Sequence, residues 1–172
     1  MSKWKRIVFV LSIAGLVLLT DQITKAIVIG SSIVQDRGTV TLIPFLLNAV
    51  FTWNPGVTFG LLHNAWSWIV ILPVTIGICA ILMCWLLRVS ATCPTIAGAA
   101  ILGGALGNII DRLRYGKVVD FLHLHLGQMD LFPYIFNIGD TAIVIGTATL
   151  LIFTVCQQEP EKLVSGKNSN KV

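Results

Sequence analysis

Long apolar runs alternate with short polar breaks along this chain, and the run lengths point to helices that cross a bilayer. A hydrocarbon core about 30 Å thick needs roughly 20 mainly apolar residues per helix, at about 1.5 Å of rise each. Four stretches qualify: about 7–30, 66–87, 94–110 and 138–156. The second carries no charge, and its Pro73 is tolerable in a membrane helix. The third is short and rich in small residues, which suggests a thin wall; Gly103 and Gly107 form a GxxxG pair suited to close packing inside the bundle. Lys3, Lys5 and Arg6 ahead of the first run resemble the start of a secretory signal. No small-x-small site closes that run, which passes instead into Asp21-Gln22-Ile23-Thr24-Lys25, so it reads as a retained helix.

The pattern changes between the first two runs. Thr39-Val40-Thr41-Leu42-Ile43 alternates β-formers, and residues 45–59 mix aromatics with Asn54, Pro55 and glycines. The fold expected is an all-α membrane protein, a four-transmembrane-helix bundle with a small β-rich extracytoplasmic cradle between the first two helices. Residues 1–157 form one membrane unit, and residues 158–172 a polar cytoplasmic tail. Trp53, Trp66 and Trp68 suit an interfacial aromatic belt.

Composition agrees. Of 172 residues, 55% are hydrophobic and 12% charged, against about 25% charged in a soluble domain. The net charge of +4 and pI near 9.0 could suggest a nucleic-acid partner. The basic residues flank the apolar runs instead of forming a footprint, which is the membrane pattern and leaves no nucleic-acid partner. With the N-terminus inside, Lys3, Lys5, Arg6, Arg88, Lys162, Lys167 and Lys171 lie on the cytoplasmic side, and Arg37, Arg112, Arg114 and Lys117 outside. Both termini are therefore expected in the cytoplasm. Cys79, Cys84, Cys93 and Cys156 fall in or beside apolar runs with no metal-ligand spacing, and read as small buried hydrophobes.

Under that topology the polar residues gather at one level. Asp21 and Lys25 lie in the outward half of the first helix, four apart and able to pair. Asp111 and Arg112 follow the third helix as a possible interfacial pair. Asp120 lies on the outer connection, Asp140 about one turn into the fourth helix, and Asn54, Asn108 and Asn137 at the same depth. Ionisable groups in a bilayer cost at least about 2.5–3.5 kcal/mol each on insertion scales, so they imply a function. His123 and His125 would share a strand face; two histidines can ligate a metal, but no third ligand is spaced to help, so an exposed polar face is expected. Asp120 and Asp140 have apolar neighbours and no adjacent cation. Two such carboxyls brought together could share one proton as acid and base. From the residues alone, a proton relay in a small transporter or channel, or a structural role, stays open.

Five blocks then resemble the lipoprotein signal peptidases (signal peptidase II). Asp21-Gln22-Ile23-Thr24-Lys25 is similar to D-Q-x-x-K, and Asn54-Pro55-Gly56-Val57-Thr58-Phe59-Gly60 to N-x-G-x-A-F-G. The stretch from Gly103 to Arg112 is similar to G-G-A-x-G-N-x-x-D-R, Val118-Val119-Asp120-Phe121 to V-V-D-F, and Phe136-Asn137-Ile138-Gly139-Asp140 to F-N-x-A-D. They occur in family order over residues 21–140. Thr58 and Gly139 depart from the family's alanines, and Gly139 is expected to add slack beside Asp140.

The resemblance implies an intramembrane aspartyl endopeptidase of the bacterial inner membrane. It would cleave prolipoproteins before a diacylglyceryl-modified cysteine, with Asp120 and Asp140 as catalytic dyad. Asn54, Gly56, Asn108, Asp111, Arg112 and Asn137 would line or shape the site, and Asp21 with Lys25 would stabilise it. No metal or organic cofactor is implied. The partners implied are the lipidated substrate and membrane lipids, and the chain is expected to act as a monomer.

Overall fold

A computed structural model describes residues 2–31, 38–56, 67–127, 129–131 and 134–168. It contains four helices, α1 (Lys3–Gly30), α2 (Ser67–Leu86), α3 (Thr92–Tyr115) and α4 (Ile138–Asn168). The strands are β1 (Val40–Ile43), β2 (Leu47–Asn54), β3 (Val118–Leu126) and β4 (Met129–Asp130), paired antiparallel in that order. Each helix contains a stretch long and apolar enough to cross a membrane.

Helix α3 is the centre of the bundle. About 67% of its most apolar stretch is buried by the other elements, against 11% for α2 and for α4. The reason is its run of small residues. A Cβ at Gly103 would collide with the Ala14 carbonyl of α1, one at Gly107 with the Asp21 carboxylate, and one at Gly104 with the Gly139 carbonyl of α4. Glycine at these positions lets three backbones approach closely, so the GxxxG pair serves packing within the chain. Val10, Ala14, Leu86, Ala99 and Leu102 form the apolar core around this crossing. The outward faces carry residues such as Leu16 (66% exposed) and Ile81 (73% exposed), which only a lipid solvent accommodates in such number.

The third helix is not short. It extends five residues beyond the expected end at Ile110, to Tyr115, because the charges there do not interrupt it. Asp111 is neutralised by Lys25 of α1 at 2.8 Å, and Arg112 donates back to the Asn108 carbonyl of its own helix. Arg112 and Arg114 complement the C-terminal end of the helix dipole. Gly116, at φ 69°, then ends the helix with its N–H on the Arg112 carbonyl. Helix α4 likewise continues to Asn168, past the break expected after residue 157.

The sheet is built from two connections rather than one. β1 and β2 come from the segment between α1 and α2, whereas β3 and β4 come from the link between α3 and α4. Val119 is fully buried there and Phe121 nearly so, packed with Val28 of α1 in a second apolar cluster, and this roots β3 in the bundle. The rest of the expected cradle, including Thr58, lies outside the described residues, as does Trp66 at the expected start of the second span. At the far end of the bundle, Arg6 reaches the carbonyls of Leu87 and Val89 and ties α1 to the α2–α3 link.

Candidate active site

The described residues of the five blocks singled out in the sequence converge where the sheet meets the helices. Asp21, Asp111, Asp120 and Asn137 are each at most 1% exposed, and Lys25 is 2% exposed. Burial of that many polar groups is tolerable only when each is partnered, and the partners divide the site into two layers.

The deeper layer is ionic. Lys25 Nζ sits 2.8 Å from Asp21 Oδ2, 2.8 Å from Asp111 Oδ2 and 3.0 Å from Asn108 Oδ1. These three partners use the ammonium's three donors. The remaining carboxylate oxygens are also engaged. Asp21 Oδ1 accepts the Gly139 N–H at 2.8 Å, which fixes the start of α4 against α1. Asp111 accepts the Val119 N–H at 3.1 Å, fixing β3, and the Gln22 amide at 3.0 Å. The sequence pairing of Asp21 with Lys25 is present, but Asp111 pairs with Lys25 across helices and not with Arg112. Gln22, given no role from sequence, bridges Asp111 and the Gly107 carbonyl. Its place beside Asp21 on the α3-facing side was the available signal.

The upper layer holds Asp120, near the start of β3, and Asp140, in the first turn of α4. Among the described residues, neither has a cation in direct contact. Three asparagines hold them instead, and each amide has its orientation fixed from its other end. Gly56 N–H donates to Asn54 Oδ1 at 2.8 Å, a turn that the positive φ of Gly56 (91°) permits, so Asn54 Nδ2 is left to donate to Asp120 Oδ2 at 2.8 Å. Lys25 occupies Asn108 Oδ1, so Asn108 Nδ2 faces Asp140 Oδ1 at 2.8 Å. Asn137 accepts the Asp140 N–H on Oδ1 at 2.8 Å and donates through Nδ2 to Asp120 Oδ1 at 2.7 Å.

Asn137 precedes the first residue of α4, and its own N–H reaches Asp140 Oδ2 at 3.3 Å. The two residues therefore cap the helix reciprocally, in the manner of a capping box. One side chain thus starts the helix, orients Asp140 and holds Asp120. Burial, and then the charge of Asp140, push the Asp120 carboxyl up to about 6, although the Asn54 and Asn137 hydrogen bonds and the Lys25 charge favour its ionised form.

Asp140 is half-buried and opens onto a cleft of about 660 Å³. Asn54, Leu124, Tyr134, Phe136, Thr141, Val144 and Ile145 also line it. The wall is mainly apolar, with two polar groups converging at one end, and can seat an extended chain with lipid-like substituents. Gly139, expected to add slack, is instead tightly held. Its N–H is taken by Asp21, and a Cβ on it would lie 2.9 Å from the Gly104 carbonyl oxygen.

Comparison with known proteins identifies the family. A lipoprotein signal peptidase of Rhodopseudomonas palustris is 40% identical over 144 residues, covering 81% of this chain and 87% of that protein. One from Methylobacterium is 37% identical over 147 residues, covering 84% and 87%. A solved bacterial membrane enzyme superposes with a TM-score of 0.75 at 29% identity, over 86% of this chain and 93% of that one. The model of the signal peptidase (SPase) II family matches residues 13–156, the span that carries every residue of the site, and the chain belongs to that family of multi-pass membrane peptidases.

Proposed function

We propose that this protein removes signal peptides from prolipoproteins as an intramembrane aspartyl endopeptidase, cleaving before a cysteine that already bears a diacylglyceryl group. The observation that carries this reading is the upper layer of the site. Two carboxyl groups from different elements are joined through Asn137, and among the described residues no cation contacts either. Carboxylates so placed can share one proton, so that one accepts a proton from the attacking water while the other donates to the scissile carbonyl oxygen. Fixed amides keep both groups oriented through that exchange.

The charges flanking the spans and the family likeness support the wider placement. Residues 1–157 form one unit in the bacterial inner membrane, with both termini and the tail 158–172 in the cytoplasm. The sheet and the dyad lie near the extracytoplasmic face. A substrate held by its acyl chains and signal helix would bring the peptide bond preceding the lipidated cysteine to the depth of Asp120 and Asp140. Each methylene buried is worth about 0.8 kcal/mol in transfer from water. The lipid therefore dominates recruitment, and the cleft reads the glyceryl cysteine. The protein acts as a monomer with its lipidated substrate and surrounding lipids as partners.

The test is incubation of the purified protein in lipid with a diacylglyceryl prolipoprotein and its unlipidated form, both anchored by the signal helix. Product masses should show cleavage immediately before the lipidated cysteine and strong preference for the lipidated form. Cleavage elsewhere, or equal rates for the two forms, would overturn the substrate assignment. Topology is read separately, in a background lacking the four native cysteines. A cysteine placed at Thr39 should react with an impermeant thiol reagent added outside, and one at Ser90 should not.

A further inference from the structure

Helices α1 and α4 meet at the level of the dyad and part below it. The Asp21 carboxylate takes the Gly139 N–H at 2.8 Å, which ties the two helices at that point. Farther along, each is held against α3 instead of against the other. A Cβ at Gly103 would collide with the Ala14 carbonyl of α1, and one at Gly146 of α4 would lie 2.7 Å from the Ala97 carbonyl oxygen. A cavity of about 550 Å³ opens between them, floored by Ala97 and Ala100 of α3 and walled by Leu16, Val17 and Ala142.

The chemistry and dimensions of this groove narrow its occupant. Its hydroxyl groups, on Thr20, Thr141 and Thr149, each donate to a carbonyl one turn back in their own helix, at 2.8–3.0 Å. The walls therefore present an occupant with almost nothing but hydrocarbon. Along α4 the groove runs from Ile138 to Thr149, about 16 Å at 1.5 Å per residue. That is about half of a hydrocarbon core 30 Å thick, the depth through which one acyl chain of a leaflet extends. Spread over that length, the volume gives a mean cross-section of roughly 34 Å², against about 80 Å² or more for a helix about 10 Å across. An alkyl chain fits such a groove and a signal helix does not.

The groove also adjoins the cleft at the dyad. Thr141 and Ile145 line both. The two cavities thus occupy neighbouring sides of α4 and share a ridge that begins directly after Asp140. We infer that the groove between α1 and α4 is a substrate subsite for one of the two acyl chains of the diacylglyceryl cysteine, while the cysteine itself stays in the cleft. This rests on the substrate class proposed above. Lipid tails outside are as apolar as the groove, so hydrophobic transfer does not drive entry. The walls add close dispersion contact at a fixed place. A chain seated beside Thr141 holds the glyceryl group, and with it the peptide bond, next to Asp140.

The experiment has two arms, both on the full chain in lipid nanodiscs. In the first, the Asp120→Asn variant is irradiated with a prolipoprotein whose acyl chains carry a diazirine, and adducts are mapped by mass spectrometry. Labelling is expected at Leu16, Ala100 and Ala142, displaced by unlabelled lipidated substrate. Adducts confined to the cleft, or equal and undisplaced labelling by a phospholipid bearing the same diazirine chain, would overturn the subsite. In the second, Ala100→Phe fills the groove away from the dyad. Its KM for a substrate with two palmitoyl chains should rise about tenfold, equivalent to about 1.4 kcal/mol, with kcat kept. A substrate with two butyryl chains, too short to reach position 100, should be cleaved as by wild type. An equal change for both substrates, or none for either, would also overturn the subsite, and the labelling arm stands even if this variant folds poorly. Wild-type cleavage before the lipidated cysteine without labelling in the groove would remove the subsite and leave the substrate class intact. Failure to cleave any lipidated prolipoprotein would remove both.

Discussion

Two pairs of aspartates lie within one hydrogen-bond network and are treated in opposite ways. Asp21 and Asp111 share the Lys25 ammonium, and the two carboxylates also accept backbone N–H groups from α4 and β3. Among the described residues, Asp120 and Asp140 receive only amide donors in direct contact. The first pair is ion-paired to Lys25 and serves as a clamp that fixes where the second pair sits. The second is held in place without a counter-ion in contact, which under the proposed function leaves it a proton to exchange. Residue type is the same in both; the counter-ion decides the role.

The largest effect should come from the amide-held pair. Asp120→Asn and Asp140→Asn should each reduce turnover of a lipidated prolipoprotein by about a thousandfold or more, because loss of one member of a cooperating pair removes the function of both. Folding should survive. With the folded-state value raised from 3.8 to about 6, the protein favours protonated Asp120. That preference stabilises it at low pH and is lost as pH rises from about 4 through 6. Above 6 the anion weakens the fold by about 3 kcal/mol at roughly 1.4 kcal/mol per unit. Asparagine at position 120 lifts that penalty but turns an NH2 toward one of two donors, which costs about 1–3 kcal/mol. The terms nearly cancel, so inactive protein should melt close to wild type. A variant that keeps a tenth of wild-type turnover would break the comparison.

The ion-held pair should behave inversely. Lys25→Met leaves two buried carboxylates without their cation, and breaking a buried pair this way costs about 3–5 kcal/mol. Thermal unfolding in detergent should show a large drop in midpoint, with activity lost in proportion to folded protein. Normal stability with abolished turnover would instead place Lys25 in the chemistry.

How the sequence anticipated this site depends on the range of the interaction. The four spans, the Asp21–Lys25 pair and the gathering of acids and asparagines at one level were legible, since helix length and i,i+4 spacing are local properties. The partner of Asp111 was not. Its sequence neighbour Arg112 looked sufficient, and only the α1–α3 crossing, closed by Gly103 and Gly107, brings Lys25 within reach. The same crossing let α3 continue past Ile110. Asn137 was marked as a site residue, yet its double role as helix cap and bridge needs β3 to return beneath α4. Gln22 was inside a recognised block without a role for the same reason.

A smaller change tests how the amides tune the upper pair. The Asn54 hydrogen bond lowers the Asp120 value against the raising effects of burial and Asp140. Asn54→Ala removes it, so the proton on Asp120 should be held to higher pH. In a profile of kcat/KM against pH, the limb near 6 should move upward in the variant. A limb that stays in place would mean that Asp120 does not govern it, whichever direction the limb runs.

The smallest effect should come from Gly139→Ala, at the contact between the two layers. Alanine favours a helical position over glycine by roughly 0.5–1 kcal/mol. Here its methyl group would lie 2.9 Å from the Gly104 carbonyl oxygen, 3.1 Å from Asn137 Oδ1 and 3.2 Å from Asp21 Oδ1. Overpacking of that kind costs about 1–3 kcal/mol unless the neighbours yield by a few tenths of an ångström. The net change in stability should be a loss of about 1 kcal/mol, visible as a modest fall in unfolding midpoint. Gly104→Ala makes the control: its methyl would meet the Gly139 backbone carbonyl, which cannot rotate away, so the loss should be clearly larger. Because Asp140 follows Gly139 directly and shares its N-terminal turn, the first variant should also shift turnover more than substrate affinity. Equal stability losses in the two variants would show that the α3–α4 crossing adjusts freely, and that the ionic clamp alone sets the position of Asp140.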